Sequence, residues 1–128
     1  LMSGDDITII ATGYMVWEAI QAGLILRDQG INADVINMHT IKPLDSKAII
    51  DSAIRTGLVV TAEEHQRLGG LGGSVAQVLA ENHPTPMSMV AVDDCFGESG
   101  TPKQLMEKYG LTADAIVARS LELISQKK

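Results

Sequence analysis

Residues 61–74 read Thr61-Ala62-Glu63-Glu64-His65-Gln66-Arg67-Leu68-Gly69-Gly70-Leu71-Gly72-Gly73-Ser74. The apolar run Leu58-Val59-Val60 ahead of this stretch has the character of a buried strand, and it empties acidic and basic side chains into a glycine-rich bend that opens a helix. Open α/β sheets keep their ligands at such junctions. The carboxyl end of a parallel strand supplies side chains, glycines let backbone N–H groups approach a partner, and the helix N-terminus favours negative charge.

Outward from that junction the same strand and helix cycle recurs. Ile7-Thr8-Ile9-Ile10-Ala11 is short, β-branched and nearly continuous in apolar character, as a strand covered on both faces must be. The apolar spacing from Met15 to Asp28 predicts a helix that Gly30 terminates. A second strand is expected over Ala33–Met38, then a loop to Leu44, then a helix from Ser46 to Thr56 with Asp45 as N-cap. Gly57–Glu63 reads as the third strand and Gly73–Glu81 as its helix; Met87–Val92 reads as the fourth strand. Thr101 and Thr112 are placed to cap two closing helices, the last running to Gln126.

Strands alternating with helices imply βαβ crossovers and parallel pairing, so the expected fold is a three-layer α/β/α sandwich with a mainly parallel sheet of four to five strands. The first strand is expected at the centre, flanked by the second and third, with the fourth outside the third. One domain covers residues 1–128, read as excised from a longer chain because a strand begins almost at once.

A net charge of −6 with scattered Lys and Arg argues against a nucleic-acid or anionic-membrane surface. Nothing resembles a membrane span or a signal peptide, and a single Cys95 suits a reducing cytoplasm. Cys95 is read as structural or incidental, since Asp93 and Asp94 beside it disfavour a thiolate.

The glycine run lacks the Lys-Ser or Lys-Thr of a Walker A loop, and Val75 stands where a dinucleotide fingerprint needs its third glycine. Two readings stay open: a tight turn for close helix packing, or backbone anion binding with Gly13, Gly70, Gly72 and Ser74 as donors and His65 as side-chain partner. Glu63-Glu64-His65 has the types for acid and base work, but strand alternation turns one side chain inward, which favours structural or interface roles for Glu63 and Glu64. A phosphoacceptor receiver needs an acidic pair where this chain has Ala11-Thr12-Gly13. A free-standing ligand-binding module remains the alternative from a different class.

In the order of these landmarks the chain resembles the C-terminal domain of transketolases, specifically the form split into two subunits. Gly4-Asp5-Asp6-Ile7-Thr8-Ile9-Ile10-Ala11-Thr12-Gly13 is similar to the family's opening strand and turn. Thr40-Ile41-Lys42-Pro43-Leu44-Asp45 is similar to its second loop, and Val60–His65 with Gly69–Gly72 to its central signature. 1-Deoxyxylulose-5-phosphate synthase and the beta subunits of 2-oxoacid dehydrogenases share these landmarks in altered wording. Asp94–Gly100, Leu105, Tyr109–Thr112 and Ile116-Val117 resemble the transketolase ending.

The resemblance implies thiamine diphosphate and Mg²⁺ in the intact enzyme, which moves a two-carbon ketol unit between sugar phosphates, as in the pentose phosphate pathway. It also implies upstream thiamine-diphosphate-binding domains or a subunit as partner, and a homo-oligomer, expected as a dimer. The chain has neither the Gly-Asp-Gly with Asn-Asn segment that binds metal and diphosphate in the family nor a match to its pyrimidine-activating Glu. No catalytic residue, metal or cofactor is therefore expected in this domain, whose implied duties are assembly and a regulatory ligand.

Overall fold

A computed structural model of the chain describes residues 2–13, 15–38, 44–63, 70–90 and 112–127. Its elements are β1 (Ile7–Ala11), α1 (Met15–Asp28), β2 (Ala33–Asn37), α2 (Ser46–Thr56), β3 (Val59–Ala62), α3 (Leu71–Asn82), β4 (Met87–Val90) and α4 (Ala113–Lys127). The four strands form one parallel sheet in the order β2-β1-β3-β4. This is the order expected of right-handed crossovers that leave β1 first to one side and then to the other. The expected Thr101 cap and the segment that follows it lie outside the described residues, as do Cys95 and the end of the expected fourth strand.

Burial follows strand alternation. Ile7, Ile9 and Ala11 of β1 pack with Val60 and Ala62 under α1 and α4, through Met15, Ala19, Leu26, Ile116 and Leu123. Ile10 and Val59 turn to the other face and meet Ile49 and Ala53 of α2 and Leu71, Val75 and Leu79 of α3. Each residue of β1 is therefore buried, which is why its sequence shows almost no polar alternation.

Local chemistry sets most helix ends. The N–H of Ile31 donates to the Leu26 carbonyl and that of Gly30 to Arg27, both at 3.0 Å, the paired bonds of a Schellman ending. Asp45 accepts from the Ala48 N–H at 3.2 Å, as an N-cap should. The third helix departs from expectation by starting at Leu71 rather than Gly73. Its N-cap is Gly70, which has no side chain to offer, so the usual local signal for a helix start is missing.

Thr8 is the polar exception within β1. Its side chain faces α2, where its hydroxyl lies 2.6 Å from Ser52 Oγ and 2.7 Å from Thr56 Oγ1. Ser52 donates to Asp34 Oδ2 at 2.5 Å, and the Arg55 Nη2 meets the same oxygen at 2.6 Å. Each hydroxyl has one proton, so Ser52, having given its own to Asp34, must accept from Thr8, and Thr8 in turn accepts from Thr56. Thr56 divides its proton between Thr8 and the Leu58 carbonyl 3.1 Å away. This buried chain sits near the amino ends of β1 and β2 and fixes α2 against the sheet.

Candidate functional site

The strands deliver Gly13, Glu63 and Gly70 to the carboxyl edge of the sheet. Ala11 and Ala62 are register partners, and the Thr12 N–H donates to the Ala62 carbonyl at 3.3 Å, so the ends of β1 and β3 lie side by side. Gly13 has φ +59°, a left-handed conformation that a side chain resists, and it turns the chain from β1 into α1.

Glu63 is the pivot of this edge. Only 1% exposed, it accepts from the Leu71 N–H at 3.0 Å through Oε1 and from the Gly72 N–H at 2.7 Å through Oε2. Its own N–H donates to the Val90 carbonyl at 3.0 Å. The last residue before the bend thus reaches across it and caps the next helix, placing a carboxylate where the helix dipole favours one. This bidentate cap explains why α3 begins two residues early.

Two of the backbone N–H groups expected as anion donors already have partners. The Gly72 N–H belongs to Glu63, and the Ser74 N–H donates to the Gly70 carbonyl at 3.1 Å, so neither faces an external anion. Ser74 instead lines a groove of about 260 Å³ between the start of α2 and α3, with Leu44, Ser46, Gln77 and Glu81. Gly13 and Gly70 remain at the edge, whereas Glu64 and His65 lie outside the described residues.

Gly72 owes its identity to close packing. A Cβ built there would meet Met89 Sδ at 2.8 Å and Thr61 Oγ1 at 3.1 Å. The Thr61 hydroxyl is buried beneath this turn and finds no hydrogen-bond partner among the described residues.

Sequence reasoning missed Glu18. Its Oε1 accepts from the Ala113 N–H at 3.1 Å and so holds the first turn of α4 to α1 across 95 residues of sequence. An acidic residue in the first turn of its own helix gave no sign of this second duty. Thr8 did leave a signal, as a lone hydroxyl in an otherwise apolar strand. No group of three or more His, Cys, Asp or Glu among the described residues could hold a metal ion, and no described helix is long and apolar enough to cross a membrane.

Residues 1–116 match the transketolase C-terminal domain family, and the chain belongs to that family. It is 50% identical over 127 residues to the 6-deoxy-6-sulfo-D-fructose transketolase subunit SqwH of Clostridium sp. (strain MSTE9), covering 99% of this chain and 39% of that protein. A solved split-gene transketolase, described as an inactive beta4 tetramer, superposes with a TM-score of 0.92 at 47% identity over 99% of this chain and 42% of its own. The 1-deoxy-D-xylulose-5-phosphate synthase of Desulforudis audaxviator is 42% identical over 130 residues, which cover all of this chain and 20% of that enzyme. The chain thus spans about two fifths of the split transketolase subunits it matches.

Proposed function

We propose that this chain serves as the C-terminal domain of a split, thiamine-diphosphate-dependent transketolase. The intact enzyme transfers a two-carbon ketol unit from a ketose phosphate to an aldose phosphate. The observation that carries this reading is the likeness to split transketolase subunits across nearly the whole chain. In the synthase the matching region is a smaller part of a much longer protein.

The described start of α3 offers no diphosphate site. A diphosphate needs free N–H donors and metal ligands, whereas the first N–H groups of α3 are already held by Glu63. Thiamine diphosphate and Mg²⁺ are therefore assigned to the upstream domains or partner subunit, and this domain to assembly. Glu63 holds the start of α3, and Gly13, Gly70 and His65 are the residues read as meeting a small anionic regulator. The intact enzyme is read as a cytoplasmic homo-oligomer, a dimer of paired subunits, acting on sugar phosphates of the pentose phosphate type.

Reconstitution tests this reading. The full-length subunit mixed with its complementary subunit, thiamine diphosphate and Mg²⁺ should produce aldose-dependent ketol transfer, and either subunit alone should not. Micromolar binding of thiamine diphosphate to the 128-residue chain in titration calorimetry defeats the division of labour. The substitution His65→Ala should lower activity or regulator binding while leaving the melting curve unchanged.

A further inference from the structure

Helix α1 covers β1 and β2, yet its outer face is also poor in charge. Its inner face carries Met15, Ala19, Ala22 and Leu26, all buried. Its outer face carries Trp17, 64% exposed, with Gln21 and Leu24 half-buried one and two turns further on, and the half-buried Ile20 at the margin. No ionised group stands free on that face before Arg27 and Asp28, because the Glu18 carboxylate is turned to α4. The exposed side of α2 differs: Lys47, Asp51 and Arg55 surround its single exposed apolar residue, Ile54. A helix face that exposes a large aromatic and carries no free charge ahead of Arg27 marks an interaction surface.

The entering chain points to what covers it. Met2 forms an antiparallel bridge with Val35 on the free edge of β2, through a 2.9 Å bond from the Val35 N–H to the Met2 carbonyl. The Met2 sulfur lies against Gly23 of α1. Because the bridge is antiparallel, a chain continued backwards from Met2 runs in the direction of β2, toward the carboxyl edge of the sheet. Trp17 lies near that same edge, since α1 begins there, about 9 Å along the helix from Gly23.

We infer that the outer face of α1, centred on Trp17 and Leu24, is the seat of the upstream domain of the same subunit, which meets it with an uncharged apolar surface. The inference rests on the reading that this chain belongs to a longer transketolase subunit, and it assigns the surface on which the two parts of that subunit join. Relatives carry about three fifths of their length outside the matched region, ample for a domain of this kind. A large aromatic side chain in the centre of the patch and charges at its rim are the distribution expected of a buried interface.

Hydroxyl-radical footprinting read by mass spectrometry tests this. Trp17 is the only Trp of the 128 residues, which makes its peptide unambiguous. Its oxidation should fall about five-fold or more on going from the 128-residue chain to the full-length subunit. Protection should persist when the full-length subunit is diluted. Equal oxidation in the two forms overturns the proposal, and so does protection already present in the short chain. Protection lost on dilution also overturns it, by assigning the face to a second copy.

For a subunit that does not dissociate, the paired variant Trp17→Lys/Leu24→Lys decides. The expected result is an unchanged mass in light scattering with the C-terminal domain unfolding separately from the rest; a halved mass with one joint transition contradicts it. The footprint needs no activity. Failure of ketol transfer therefore counts against the functional reading alone, and failure of protection against the interface.

Discussion

Glu63 and Gly72 are joined by a 2.7 Å bond from a backbone N–H to a buried carboxylate, and this bond ties the end of β3 to the first turn of α3. A second bond from the Leu71 N–H makes the cap bidentate. The end of β3 and the start of α3 are thus held together by a residue of the same junction, nine positions upstream of Gly72.

Removing this carboxylate leaves two buried donors without a partner. Glu63→Ala is expected to cost about 2–4 kcal/mol, since hydrogen bonds to charged groups exceed neutral ones and unsatisfied buried groups carry a further penalty. Glu63→Gln keeps one acceptor and turns an NH₂ toward the other N–H, so it should lose about half as much. Urea midpoints of the two variants and the parent check both the loss and its order. A Glu63→Ala midpoint within error of the parent refutes the capping role.

Crowding at Gly72 makes a second prediction. Gly72→Val drives methyl groups toward Met89 and Thr61 and should cost about 1–3 kcal/mol. Met89→Ala opens space on one side of the new side chain, so the double variant should be more stable than the sum of the two single losses predicts. Strict additivity in a double-mutant cycle places the strain elsewhere.

The hydroxyl chain beneath α2 carries a third. Thr8→Val retains the shape of the side chain while breaking the link between Thr56 and Ser52, at an expected cost of about 1–3 kcal/mol. Thr8→Val and Ser52→Ala should be markedly non-additive, because each severs the same path to Asp34. Thermal denaturation of the single and double variants measures the coupling.

Glu18→Ala should loosen α4 locally rather than unfold the domain. A lost N-terminal cap costs about 1 kcal/mol. Faster hydrogen exchange confined to the first turns of α4, with little change over β1 and β3, is the expected pattern. Uniformly faster exchange across the sheet rules out a local role.

Much of the architecture was legible in the chain. The unbroken apolar character of Ile7–Ala11 identifies a central parallel strand because both faces of β1 are covered. The bounds of α1 and α2 agree with their sequence signals, since Asp45 and the Gly30 ending act within a turn of their own helix. The start of α3 was misread for the converse reason: its cap comes from Glu63, on the far side of a bend, while the residue at its N-cap is a glycine.

Of the candidate residues, Gly13, Glu63 and Gly70 stand at the carboxyl edge, as their places after strands lead one to expect. Glycines and acids after Val60 mark the carboxyl edge, but their types do not distinguish an anion waiting for donors from a carboxylate already holding them. The sequence by itself determined the alternation of strands and helices and their parallel order, because these follow from periodicities and caps that act over a few residues. Only the tertiary structure decided which carboxylate serves which helix: Glu63 turns back onto Leu71 and Gly72, Glu18 reaches Ala113 of a different helix, and Asp34 receives both Ser52 and Arg55. Those pairings depend on where the layers bring side chains to within about 3 Å of a donor, a condition of packed geometry that no local pattern encodes.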